Sequence, residues 1–406
     1  MKQIPLYYRN DLEDDIKSFK YCPGFPKKYL TSEYFTVQED PTAFFGLFGD
    51  PFDIIFKDKD NTDENYYFPL IPSLSQIDSK IDEFNIPDDV YQDIINKQCK
   101  ILVFNSYEGW EWSWWKKLVY PLQIKYNLSL DDFVFVCANS HDAPDLRTVY
   151  NNFWERQTKH EDLTWLNDRG NKHIADKAAR ENKFICLNRR PHAGRFAGVT
   201  ALYPYIDNGC LSMGMSGQMY DGYFEEQQGI FEVGYPEHYA KYKELNIRNK
   251  LPITIDDKVD AERQNPVHDW SIDKFYNSFL HICPETYQYY RLGRTFFSEK
   301  IFKPIMYFQP FVILGEPGAL KALQDMGYRT FSDILDESYD NIQNNEERMT
   351  AALNSAIAFF DRPNEELHAV MSSITNTLTH NISMLSYRAN MMDSNLKEEL
   401  RKHLNG

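Results

Sequence analysis

Residues 291–331, RLGRTFFSEKIFKPIMYFQPFVILGEPGALKALQDMGYRTF, decide how the rest of the chain is read. Ser298 suits an N-cap, Glu299 falls in the first turn where a carboxylate opposes the helix dipole, and Ile301, Pro304, Ile305 and Phe308 recur at helical spacing. Gln309-Pro310 ends that helix, and Pro310 to Leu314 is a short apolar run that fits a strand packed on both faces. Gly315-Glu316-Pro317-Gly318 reads as a turn, and Ala319 to Met326 as a helix closed by Gly327. A helix, a fully apolar strand and a second helix predict half of a doubly wound sheet, where ligands sit at strand ends and helix starts.

Working outward, the pattern repeats. Phe275 to Cys283 passes from helix to strand and ends in Pro284-Glu285-Thr286. Lys183 to Leu187 is a strand leading into Asn188-Arg189-Arg190-Pro191-His192-Ala193-Gly194-Arg195, three arginines and a histidine within eight residues. The guanidinium fork matches phosphate oxygens two at a time, and a helix start adds backbone donors. Before it, Phe153 to Asn182 is charged and helical, with Gly170 read as a break. In the first part of the chain, residues 1–50 read as irregular, Phe52 to Phe56, Lys100 to Asn105 and Phe133 to Ala138 are strand candidates, and residues 74–100 read as helix broken at Pro87. Residues 206–268 read as loops. After Asp340 the chain is helical and amphipathic. The fold class predicted is α/β, with a Rossmann-like domain over 1–165, a second over 166–345 and a helical extension over 346–406.

Composition narrows the function. The net charge is −16 over 406 residues, which disfavours nucleic acid as a partner because neutralising phosphates needs basic stripes. A small anion, needing one cationic site, remains compatible. No apolar run approaches a membrane span, and MKQIPLYYRNDLEDD has neither basic nor apolar signal regions, so a soluble cytoplasmic protein is expected. The six cysteines include no C-x-x-C pair and predict buried, reduced thiols. Asn-x-Ser at Asn127 and Asn381 is then a chance match.

Phe297-Ser298-Glu299-Lys300-Ile301, followed by PFVILGEPG, LKALQDMGY and RTF, resembles the sugar-nucleotide half of fucosyltransferase-like glycosyltransferases over roughly residues 183–340. Those enzymes carry a T/S-E-K turn, then an apolar strand, then L-x-x-L-x-x-x-G-F-x-T-F. The resemblance implies a GT-B arrangement of two Rossmann-like domains, with a nucleoside-diphosphate sugar as donor substrate and no other cofactor. It implies that Arg195 and Lys300 hold the diphosphate and Glu299 the ribose, with Glu285 near the donor. Asn188, Arg190, Ser298 and Lys303 complete the donor candidates, Lys303 standing one helical turn from Glu299. Phe296 stands where fucosyltransferases have a tyrosine, so the donor sugar is left open.

On that reading the acceptor, a glycan or other hydroxyl compound, needs a base to take its proton. Glu108, just past the strand ending at Asn105, is the candidate, with His141 or Asp142 as substitutes. Trp110 and Trp112 are candidates for stacking an acceptor sugar. The expected reaction is inverting and metal-independent. Three alternatives stand beside it: a metal-dependent transferase using Asp58 and Asp60 as a D-x-D pair, a non-catalytic carbohydrate-binding or assembly protein, and a glycosyltransferase acting on modified DNA bases.

Overall fold

The structure, a computed structural model, describes residues 4–7, 54–57, 65–70, 86, 88–105, 112–138, 147–215, 222–254, 272–286, 288 and 295–405. The chain divides into two compact units: 1–156 together with 390–406, and 157–389. The first break thus falls before the expected boundary at 165. The stretch 346–406, expected as a separate extension, is shared out between the two units.

The first unit contains a six-stranded, wholly parallel sheet in the order β2-β1-β3-β4-β5-β6, formed by Ile4–Tyr7 (β1), Ile54–Lys57 (β2), Tyr66–Leu70 (β3), Cys99–Asn105 (β4), Phe133–Cys137 (β5) and Thr148–Tyr150 (β6). A strand therefore lies within residues 1–50, which the sequence had suggested were irregular. Helices Asp88–Ile95 (α1), starting right after Pro87, Trp112–Tyr126 (α2) and Phe153–Gln157 (α3) follow the chain. Alternation builds the core: Tyr66 and Phe68, Ile101 and Val103, and Phe133, Phe135 and Cys137 share one face of the sheet. That face is buried with Val90 and Ile94 of α1 and Val119 and Leu122 of α2.

The second unit is built on a four-stranded parallel sheet, order β10-β9-β7-β8, from Asn182–Cys186 (β7), Gly209–Leu211 (β8), Ser278–Pro284 (β9) and Phe311–Leu314 (β10). Every residue of β9 and β10 is buried, the mark of strands covered on both faces. Its helices are Leu163–Ala175 (α4), Ala193–Leu202 (α5), Tyr223–Gly234 (α6), Pro236–Glu244 (α7), Ile272–Tyr276 (α8), Glu299–Met306 (α9), Ala319–Asp325 (α10), Asn345–Phe360 (α11) and Asn364–Ser373 (α12), followed by Thr375–Asn405 (α13), whose residues from 390 onward belong to the first unit. α11 packs on β9, β10 and α5, whereas α9 packs on β9, β10 and α4, giving a sheet between two helical layers.

Two expectations are corrected and one is met. Gly170 does not break a helix: it lies inside α4, where a Cβ would come within 2.4 Å of the Phe308 ring, so glycine is there for close packing. Residues 206–268 are not merely loops, since β8, α6 and α7 lie among them. These two helices pack through Phe224, Phe231, Tyr239 and Tyr242 against Phe196 of α5 and one another. Gly327 does close α10, with φ of +94°.

The cysteines behave as small apolar residues: Cys99, Cys137, Cys186, Cys210 and Cys283 are all buried and unbridged. Asn381 is buried too, bonded through its side chain to both backbone groups of Arg329, so it is no surface acceptor for a glycan. Among the described residues no helix is long and apolar enough to cross a membrane.

Candidate functional site

In the second unit the chain leaves β7 for β8 on one side and later returns to β9 on the other. That makes the gap between β7 and β9 a topological switch point, where the turns leaving the two strands diverge and open a cleft at their carboxyl ends. The β7 turn carries Asn188 through Arg195, and the β9 turn carries Glu285 and, further on, Ser298, Glu299 and Lys300. The sequence candidates of the donor site are thus gathered at one edge of one sheet.

The β7 turn is fixed by Asn188, whose Nδ2 donates to Ser212 O at 3.1 Å while its backbone N donates to Ser212 Oγ at 3.1 Å and its O accepts from Gly214 N at 2.7 Å. Gly214 is required because a Cβ there would lie 2.5 Å from Arg189 O. Five residues after Asn188 the chain enters α5, and Arg195, on its first turn, is 4% exposed. Its Nη1 donates to Arg190 O at 3.3 Å, and its Nε meets no acceptor among the described residues. Burial lowers the Arg195 pKa, and the nearby Glu299, Tyr223 and Glu285 partly offset that. A buried guanidinium with an unmet N–H is costly unless something else completes it.

The β9 turn is built differently. Glu285 accepts from Ser298 Oγ at 2.5 Å and from Ser298 N at 3.3 Å, clamping the N-cap of α9 to the strand end. Ser298 Oγ accepts in turn from Lys300 N at 3.3 Å and from Lys300 Nζ at 3.1 Å. Both residues spend their polar atoms on the turn, which makes them positioning groups for Lys300. Lys300 Nζ also reaches Glu299 Oε1 at 2.9 Å, with both side chains less than a fifth exposed. Burial pushes the Glu299 pKa up, but Lys300 and Lys303 outweigh it and hold the carboxyl at about 2. Burial raises the Glu285 pKa despite the opposing pull of Lys300 and Ser298, and lowers that of Lys303 although Glu299 faces it.

Arg195 and Lys300 act on the same groups. Both bear on Glu285 or Glu299, and both, with Arg190, bear on the His192 ring. Arg189 also feels Glu299. Arg189, Arg195, Lys300 and Lys303 therefore bear on the carboxylates Glu299 and Glu285, with Arg190 beside Arg195, a local cationic excess in a chain of net charge −16.

Several side chains of this site were not singled out from the sequence as site residues. His192, at the start of α5, makes no capping bond to its helix, and Tyr223 OH lies 2.8 Å from its Nδ1. Burial, with Arg195, Lys300 and Arg190, lowers its pKa to about 2, so the imidazole is neutral. Gln227, one turn after Tyr223 on α6, accepts from Ala193 N at 3.2 Å. Gln288 is buried against Gly194, where a Cβ would fall 1.6 Å from its Oε1, and its Nε2 has no partner among the described residues. The signal for Tyr223 and Gln227 was their i, i+4 spacing, hidden in a stretch with no clear apolar period.

Trp112 is the first residue of α2. Glu108, Trp110, His141, Asp142, Asp58 and Asp60 lie outside the described residues. Among the described residues no three His, Cys, Asp or Glu side chains gather as a metal site. Comparison with known protein families, curated proteins and solved structures finds no match to this chain.

Proposed function

We propose that the second unit holds the diphosphate of a nucleoside-diphosphate sugar and that the protein is a glycosyltransferase of the GT-B class. The observation that carries this reading is Arg195: a buried guanidinium with an unmet Nε, at a switch-point turn, sharing its carboxylate neighbours with Lys300. Phosphate oxygens supply the acceptors that such a group lacks. As the bond from the anomeric carbon to the diphosphate oxygen breaks, its electron pair stays on the leaving group. The cations of the two turns are fixed in advance to meet that charge. Glu299, ionised and held by Lys300, is the acceptor for ribose hydroxyls that the resemblance assigns it. Glu285 and Ser298 hold Lys300 in register. The acceptor hydroxyl gives its proton to a base, for which Glu108, His141 and Asp142 are the candidates.

Calorimetric titration of the whole chain with UDP, GDP, ADP and pyrophosphate, in chelator, tests the reading. The expected result is saturable binding that Arg195→Met weakens by about a hundredfold, the loss of a charge-assisted pair at a buried site. Silence with all four ligands overturns it. Binding that collapses only in chelator favours the metal-dependent alternative with Asp58 and Asp60.

A further inference from the structure

We infer that His192 is a proton acceptor tied to anion binding: it takes a proton from solvent when a diphosphate joins Arg190, Arg195 and Lys300, and then donates a hydrogen bond to that diphosphate. The inference rests on the reading of this site as a diphosphate site, and adds to it a group that changes charge with occupancy.

The geometry sets the ring between two kinds of neighbour. From α6, Tyr223 stands edge-on to it, centroids 5.8 Å apart at 86°, with its hydroxyl 2.8 Å from Nδ1. Gln227 of the same helix lies beside it and accepts from Ala193 N at 3.2 Å. These polar contacts orient the imidazole without supplying a counter-charge. From the other elements come cations: Arg190 of the β7 turn, Arg195 of α5 and Lys300 of α9. The carboxylates nearby, Glu285 and Glu299, face Arg195 and Lys300, and Glu226 faces Tyr223. Burial, together with the positive charges of Arg195, Lys300 and Arg190 among the described residues, accounts for its neutrality.

A diphosphate reverses that sign. It brings at least two negative charges among the three cations, so the ring that burial, Arg195, Lys300 and Arg190 keep neutral gains a partner that stabilises an imidazolium. The balance is simple: one proton moves from solvent to a ring nitrogen, and no covalent bond breaks. When the diphosphate later gains charge as leaving group, an imidazolium is already in place, whereas a permanently charged side chain would have cost stability in the protein alone.

The sign of the linkage follows. A group whose pKa rises on binding takes up protons between its two values, so affinity grows as pH falls through the higher one. Pyrophosphate and nucleoside diphosphates themselves protonate near neutrality, which works against this and requires a reference protein. Pyrophosphate binding to the unmutated chain and to His192→Asn, measured calorimetrically at about pH 6.5 in two buffers of different ionisation enthalpy, gives the protons taken up by each. The unmutated chain is expected to take up more, by up to about one proton, and its affinity relative to His192→Asn to rise by at most about tenfold per pH unit towards acid. Equal uptake overturns the inference and leaves the diphosphate site standing. No pyrophosphate binding by the unmutated chain overturns both. Nitrogen-15 NMR of the histidine rings in the unmutated chain gives the same answer without a substitution. A ring moving to the imidazolium shifts on adding pyrophosphate supports the inference, and ten unmoved rings defeat it.

Discussion

Arg348 and Arg195 are each 4% exposed and stand in the same unit, yet their surroundings differ completely. Arg348 donates from Nε to Gly315 O at 3.0 Å, from Nη1 to Ile342 O and Gln343 O at 2.8 and 3.1 Å, and from Nη2 to Gln288 O and Asn345 Oδ1 at 2.8 and 2.7 Å. All of its N–H capacity goes to the protein. Among the described residues Arg195 has one long bond, to Arg190 O, and an unmet Nε. The same contrast separates two helix starts at this edge of the sheet. At α10, Asp340 fills the first turn, its carboxylate accepting from Leu320 N at 2.9 Å and Lys321 N at 3.1 Å. At the start of α5, Ala193 N donates to the neutral Gln227 amide, and among the described residues no carboxylate accepts there. A burial criterion alone would rank these arginines together; hydrogen-bond accounting tells structural wiring from a site that awaits a ligand.

The largest expected effect breaks the comparison directly. Arg348→Met strands five acceptors and is expected to lower stability by about 3–5 kcal/mol, read from urea unfolding. Arg195→Met is expected to stay within about 1 kcal/mol, because Lys300 and Lys303 still face Glu299 and a costly buried charge is gone. Equal losses in the two variants would erase the distinction.

The two carboxylates of the site sharpen it through pH. Glu299 sits below the usual carboxylate range, so it contributes stability above its unfolded value that is lost as the pH falls towards about 2. Glu285 sits above that range, so its contribution is present below the unfolded value and is lost as the pH rises through its folded one. Unfolding midpoints followed from acid to neutral pH are expected to lose their acid-side rise in Glu299→Gln, and to gain about 1 kcal/mol at neutral pH in Glu285→Gln. Slopes unchanged in both variants would show that the two carboxylates are not set apart in this way. The smallest effect concerns Gly194. Gly194→Ala forces the Gln288 amide aside and is expected to cost about 1 kcal/mol, with a detectable weakening of pyrophosphate binding.

How much of this was legible beforehand follows from the physics of each element. The buried strands β4, β5, β7, β9 and β10 announced themselves as short apolar runs, and the cationic turn after β7 stood out against an acidic chain. Ser298 as N-cap and Gly327 as helix stop were readable because capping is local. Gly170 was misread because the reason for a glycine there, the Phe308 ring, lies far along the chain. Helices α6 and α7 escaped because aromatic packing on Phe196, rather than a regular apolar stripe, holds them. Tyr223 and Gln227 share one face of α6 by their i, i+4 spacing, but that this face meets His192, and that Gln288 packs on Gly194, are tertiary facts.

Residues 390–406 belong to the first unit: Asn65, Tyr67 and Lys100 bond the carbonyls of Leu404, Leu400 and His403, tying the C-terminal turns of α13 to the start of β3 and to β4. During translation the ribosome delivers residues 1–156 first and that closing segment only after the whole of 157–389. The unit begun earliest is therefore completed last, and the nascent chain must carry it unfinished, a window in which chaperones have the most to protect.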